Sequence, residues 1–119
     1  MTTQEIADRL VELCRKGGFD DAQKQLFAKD AVSIEAYGTP EFAKETKGLK
    51  AIKEKGEKWS TMVQEMHGLD VSNPLVADHS FACTMKMDVT MKDGKRSSMN
   101  ELCTYHVKDG KIVSEEFSM

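Results

Sequence analysis

Residues 81–92 alternate without a break: Phe81, Cys83, Met85, Met87, Val89 and Met91 on one phase, Ala82, Thr84, Lys86, Asp88, Thr90 and Lys92 on the other. Successive side chains of a β-strand point to opposite faces, so this run is a long strand, apolar on one side and polar on the other. Lys92-Asp93-Gly94-Lys95 supplies the Asp-Gly pair of a tight hairpin. The chain then returns with Met99, Glu101, Cys103, Tyr105 and Val107 on its inward phase. A second Asp-Gly turn, Lys108-Asp109-Gly110-Lys111, leads into Ile112 to Phe117. A one-sided antiparallel meander of this kind must bury its apolar face under another layer.

The upstream half provides that layer. Ile6, Leu10, Leu13 and Cys14 recur at helical spacing, so Thr2 to Lys16 is predicted to be a helix, capped by Thr2 or Thr3 and stopped by Gly17-Gly18. Asp20 is expected to cap a second short helix that buries Ala22, Leu26 and Phe27 and breaks at Lys29-Asp30. Ala31 to Tyr37 is the first predicted strand, with Val32 and Ile34 read on opposite faces, and Gly38-Thr39-Pro40 turns the chain. Thr46-Lys47-Gly48 introduces a third helix with Leu49, Ile52, Trp59 and Val63 on one face. From Met66 the period returns to two, placing His67, Leu69 and Val71 in one phase before Asn73-Pro74. Helices first and a meander after is an α+β layout: N-terminal helices packed in a strongly curved, mostly antiparallel sheet.

The whole chain, residues 1–119, is expected to form one domain, since 119 residues suffice for a single core. A net charge of −3 with interspersed signs excludes the basic stripe of a nucleic-acid or anionic-membrane surface. No apolar run has the length of a membrane span, and Met1-Thr2-Thr3-Gln4-Glu5 has no signal-peptide character. Cys14, Cys83 and Cys103 are odd in number and form no CxxC pair, which reads as reduced, buried thiols in the cytoplasm. There is no metal-ligand spacing, phosphate loop, dinucleotide fingerprint or Ser-His-Asp pattern, so no metal and no cofactor is implied.

Four strings carry a family resemblance: Gly18-Phe19-Asp20-Asp21-Ala22, Phe27-Ala28-Lys29-Asp30-Ala31-Val32, Gly48-Leu49-Lys50-Ala51-Ile52, and Tyr105 through Val113. With the element order, they resemble the SnoaL-like and ketosteroid-isomerase-like branch of the nuclear transport factor 2-like superfamily. The resemblance implies a cystatin-like, cone-shaped α+β barrel with a deep apolar pocket at its open end, and a homodimer. It does not imply one activity, because isomerases, cyclases and non-catalytic shells share the architecture. By this resemblance the general-base Asp of ketosteroid isomerases falls on Glu35. The oxyanion-hole Tyr and acid of those enzymes fall near Val11 and Cys103, which cannot donate the strong hydrogen bond an enolate needs. Glu101, the one inward-phased acid on its strand, stands in for the late-strand acid of polyketide cyclases.

Glu35, His67 and Glu101 are therefore the candidate catalytic residues. A carboxylate in an apolar pocket is desolvated and becomes a usable general base, whereas one at a strand end pairs with a Lys or a backbone N–H. His67, in phase with Leu69 and Val71, is expected to point inward and to pair with Glu101 or Glu35. Tyr37, Trp59, Phe81, Met85, Met87, Met99 and Tyr105 are the candidate ligand-binding side chains. Flexible thioethers mould around irregular apolar ligands, but core filling is the competing explanation. Two functions remain open: a cofactor-free isomerase or cyclase moving a proton on a ketone-like or polycyclic substrate, and a non-catalytic ligand-binding or protein-interaction module.

Overall fold

The structure, a computed structural model, describes all residues from 1 to 119. The order is α1 (Thr3–Arg15), α2 (Phe19–Leu26), β1 (Phe27–Ile34), β2 (Glu45–Lys47), α3 (Leu49–Met62), β3 (Val63–Val71), β4 (Leu75–Val76), β5 (Ser80–Met91), β6 (Arg96–Lys108) and β7 (Lys111–Ser118). Thr2 caps α1 through a reciprocal pair. The Glu5 N–H donates to the Thr2 hydroxyl at 3.1 Å, and the Thr2 N–H donates to the Glu5 carboxylate at 2.9 Å. Two N–H groups that a helix start leaves open are thereby satisfied. The cap of α2 is Gly18 rather than Asp20; Asp20 and Asp21 sit in the first turn, where they face the positive end of the helix.

The sheet runs β2-β1-β7-β6-β5-β3, with β4 attached to β5. All pairings are antiparallel except β1 with β7. It curves around the helices without closing, so β2 and β3 remain its edges. One core of 19 buried residues joins α1, α2 and Ile52 of α3 to the inner face of the sheet. Phe81 and Tyr105 stack within it, ring centres 4.8 Å apart. The three thiols are free and buried there, with Cys83 opposite Cys103 across β5 and β6. Burial pushes the Cys14 thiol up to about 12, which disfavours its thiolate.

β1 begins at Phe27, ahead of the expected start, because the chain passes from α2 directly into the strand. Val32 and Ile34 share one face, as residues two apart in a strand must. The inner face carries Ala31 and Ser33, both fully buried.

Two bulges set which side chains enter the interior. Across β6 and β7, His106 opposes Ser114 but Val107 opposes Ile112, leaving Val113 as an extra residue. The phase of β7 flips there, and Glu115 and Phe117 come to oppose Tyr105 and Cys103 on the inner face. Across β3 and β5, Met66 opposes Val89 but Gly68 opposes Asp88, leaving His67 as the extra residue. An extra residue in one strand breaks the alternation on either side of it.

Candidate functional site

Leu49, Ile52, Lys55 and Trp59 lie three or four residues apart on α3 and form the stripe it turns to the sheet. Ile52 is buried, and one turn further on the same stripe delivers an ammonium group to the inner sheet face. The Lys55 Nζ donates to the Ser33 hydroxyl at 2.7 Å and to Glu35 Oε1 at 2.9 Å. The Ser33 hydroxyl in turn donates to Glu115 Oε1 at 3.2 Å. Parallel pairing sets Ser33 directly beside Glu115. The Glu35 N–H donates to the Lys44 carbonyl at 2.7 Å, which holds this residue just beyond the end of β1.

Burial dominates the electrostatics. Glu115 is 5% exposed, and desolvation pushes its carboxyl up to about 7 against the opposing pull of Lys55 and the Ser33 hydrogen bond. Desolvation likewise raises Glu101, with the Glu35 charge adding to the rise and Lys55 opposing it. No hydrogen bond holds the Glu101 carboxyl. Three carboxyls thus share one ammonium, an arrangement that stores a proton near neutral pH. No group of three or more His, Cys, Asp or Glu side chains is arranged to hold a metal ion.

Of the three candidate catalytic residues, the structure brings Glu35 and Glu101 together and leaves His67 out. The expected pairing of His67 with either glutamate does not occur. As the extra residue of the β3 bulge, its ring turns to the outer face, where Nε2 lies 2.6 Å from the Thr90 hydroxyl and Nδ1 lies 4.0 Å from Glu65. Of the expected ligand-binding side chains, Phe81, Met85 and Tyr105 are buried in the core and Tyr37 is 61% exposed. Trp59, Met87 and Met99 are half-buried. Two concavities lie away from the glutamate cluster: one of about 570 Å³ at Met1, Thr3 and His79, and one of about 340 Å³ beside Arg15.

Ser33, Lys55 and Glu115 are the members of the cluster that the sequence reading passed over. Lys55 was detectable three residues after Ile52 on the apolar stripe. Glu115 emerges by counting back in twos from Phe117, but counting forward from Ile112 selects Glu116, because the bulge at Val113 intervenes.

A family model described as a SnoaL-like domain matches residues 1–119. A Mesorhizobium loti protein provisionally named a SnoaL-like polyketide cyclase [carbohydrate phosphatase] has 37% identity and a TM-score of 0.93, with 100% of both chains covered. TerC co-crystallised with polyporic acid has 15% identity and a TM-score of 0.77, covering 97% of this chain and 88% of that one. A Bacillus subtilis protein provisionally named an isomerase has 17% identity and a TM-score of 0.74, covering 98% and 88%. A search of curated proteins found no similar sequence.

Proposed function

The chain belongs to the family of SnoaL-like domains, and on that premise we propose that it binds a small ketone-like or polycyclic molecule and moves a proton on it without a cofactor, as an isomerase or cyclase does. The observation that carries this reading is the hydrogen-bonded chain from half-buried Glu35 and Lys55 to buried Ser33 and Glu115, with the unpaired Glu101 near it. A general base works best when its proton affinity lies near the working pH; burial brings Glu115 to about 7, and desolvation with the neighbouring Glu35 charge raises Glu101 above the ordinary carboxylate value.

Glu101 is the half-buried group that no protein donor holds, so it exchanges a proton with the ligand. Glu115 lies behind it as a second proton store, linked through Ser33 to Lys55. Glu35, committed to Lys55, positions that ammonium and balances its charge. His67 takes no part, since its ring faces the other side of the sheet.

Loss of deuterium from the α-carbon of cyclic ketones, followed by NMR, tests the reading. Exchange faster than buffer alone, abolished in Glu101→Gln, supports it; exchange no faster than buffer removes it. The second reading, a non-catalytic module, is favoured by the closed packing of Phe81, Met85 and Tyr105. It predicts that substitutions in the cluster change stability alone. Either reading takes the protein as a cytoplasmic homodimer holding a small apolar ligand, a state that sedimentation would check. No helix is long and apolar enough to cross a membrane.

A further inference from the structure

An enolate forms readily only if something stabilises the charge that gathers on its oxygen, and neither Val11 nor Cys103 can do so. Lys55 can. An ammonium carries three N–H donors. Two are committed here, to Ser33 at 2.7 Å and to Glu35 at 2.9 Å. The third has no protein hydrogen-bond acceptor; Nζ lies over the face of the Phe117 ring, 5.9 Å from its centre, a weak cation–π contact that a carbonyl oxygen can displace. The Lys55 side chain is 16% exposed, so its charge is only partly screened by water and is still reachable from outside. Lys55 also lies close enough to Glu101 to shift that carboxyl.

We infer that Lys55 is a catalytic residue that donates its third N–H to the carbonyl oxygen of the substrate while Glu101 removes the adjacent proton. The inference rests on the proton-transfer reading above and narrows the substrate to a carbonyl compound with a hydrogen on its α-carbon. In the step, the Glu101 carboxylate takes the α-proton. The C–H electron pair becomes the C=C bond, and the carbonyl π pair moves onto oxygen. The proton then returns from Glu101 to carbon; nothing is oxidised and no group leaves. The negative charge passes from Glu101 to the substrate oxygen, and Lys55 adjoins both, so its attraction is transferred rather than lost. Glu35 and Ser33 fix the ammonium before the substrate arrives, which makes the donor preorganised.

Two measurements test this apart from the parent reading. α-Deuterium exchange of a cyclic ketone reports proton transfer, and binding of 4-nitrophenol reports the oxyanion contact. The phenol can enter neutral, give its proton to Glu101 and rest as a coloured anion against Lys55. In Lys55→Met, bound phenolate should fall about tenfold or more, and kcat for exchange about a hundredfold with KM little changed, as for loss of a donor that acts mainly in the transition state. Lys55→Arg should recover most of the phenolate signal. If Lys55→Met fails to fold, Lys55→Gln replaces it, with the same expectation. Undiminished exchange in the folded variant overturns the inference, whatever the phenolate does, while the parent reading stands. A wild-type protein that exchanges the ketone no faster than buffer removes both, whether or not it binds the phenolate.

Discussion

Two ion pairs of nearly equal length stand on opposite faces of the sheet: Lys55–Glu35 at 2.9 Å on the inner face and Arg96–Asp88 at 2.8 Å on the outer. The side chains of the inner pair are 16% and 28% exposed, those of the outer pair 63% and 38%. The inner pair adjoins two carboxyls that burial raises, Glu101 and Glu115. At the outer pair, the Arg96 hydrogen bond holds the Asp88 carboxyl below its ordinary value. Residue types and distances barely distinguish the two regions. What differs is access to water, and with it the ability to hold a proton at neutral pH.

The largest effect that would sharpen this contrast is on turnover. Glu101→Gln should slow α-proton exchange by about 10²–10⁴-fold, the contribution of a positioned base, while His67→Ala should leave the rate within about twofold of wild type on the surface side. Equal losses in both would erase the distinction between the faces.

Stability against pH comes next. Glu115, raised from 4.5 to about 7, binds its proton more tightly in the folded chain than in the unfolded one. Its stabilisation is complete below the unfolded value and is lost as pH rises through about 7. At 1.36 kcal/mol per unit the change is on the order of 3 kcal/mol. Glu101 acts with the same sign. Asp88, with its lowered carboxyl, acts oppositely: its contribution is present above its unfolded value and fades as pH falls through the folded one. Urea midpoints measured from acid to neutral pH should therefore decline, and Glu115→Gln should flatten the decline. A wild-type midpoint that does not fall toward neutral pH would break the inner half of the comparison.

Ser33→Ala removes the hydroxyl between Lys55 and Glu115 and should cost about 1–3 kcal/mol, the range for stranding buried polar partners. Because the Ser33 hydrogen bond holds Glu115 down, its loss should also move that titration upward, as a carboxyl-carbon NMR titration would read. Thr90→Ala, which deletes the outer hydroxyl beside His67, should change stability by less than about 0.5 kcal/mol in the same urea series. Smallest of all, Arg96→Ala should cost at most about 1 kcal/mol, and less in high salt, as exposed pairs do. A larger cost would show the outer pair to be more than a solvated one.

Much of the fold was legible because periodicity is a local property. The alternation from Phe81 to Met91, the two Asp-Gly turns and the stripe of α1 all appear where expected. The short β2 was invisible, since three residues carry no period. The site was legible in part. Glu35 and Glu101 lie near enough for the charge of one to raise the carboxyl of the other, while the inward reading of His67 failed at a bulge that no composition marks. Lys55 was passed over because a lysine on a helix is ordinarily a solvated one, and only the packing of Ile52 against the sheet carries it inward.

The sequence by itself determined the three helices and the long strands of the meander, and that their apolar faces must meet, because those choices depend on neighbours within a few residues. The tertiary structure decided which ionisable groups share the interior. Single extra residues, Val113 and His67, flip the strand phase, turning Glu115 inward and His67 outward. A flip of one residue reverses every side chain beyond it, and whether the chain bulges is settled by pairing between strands that are distant in sequence.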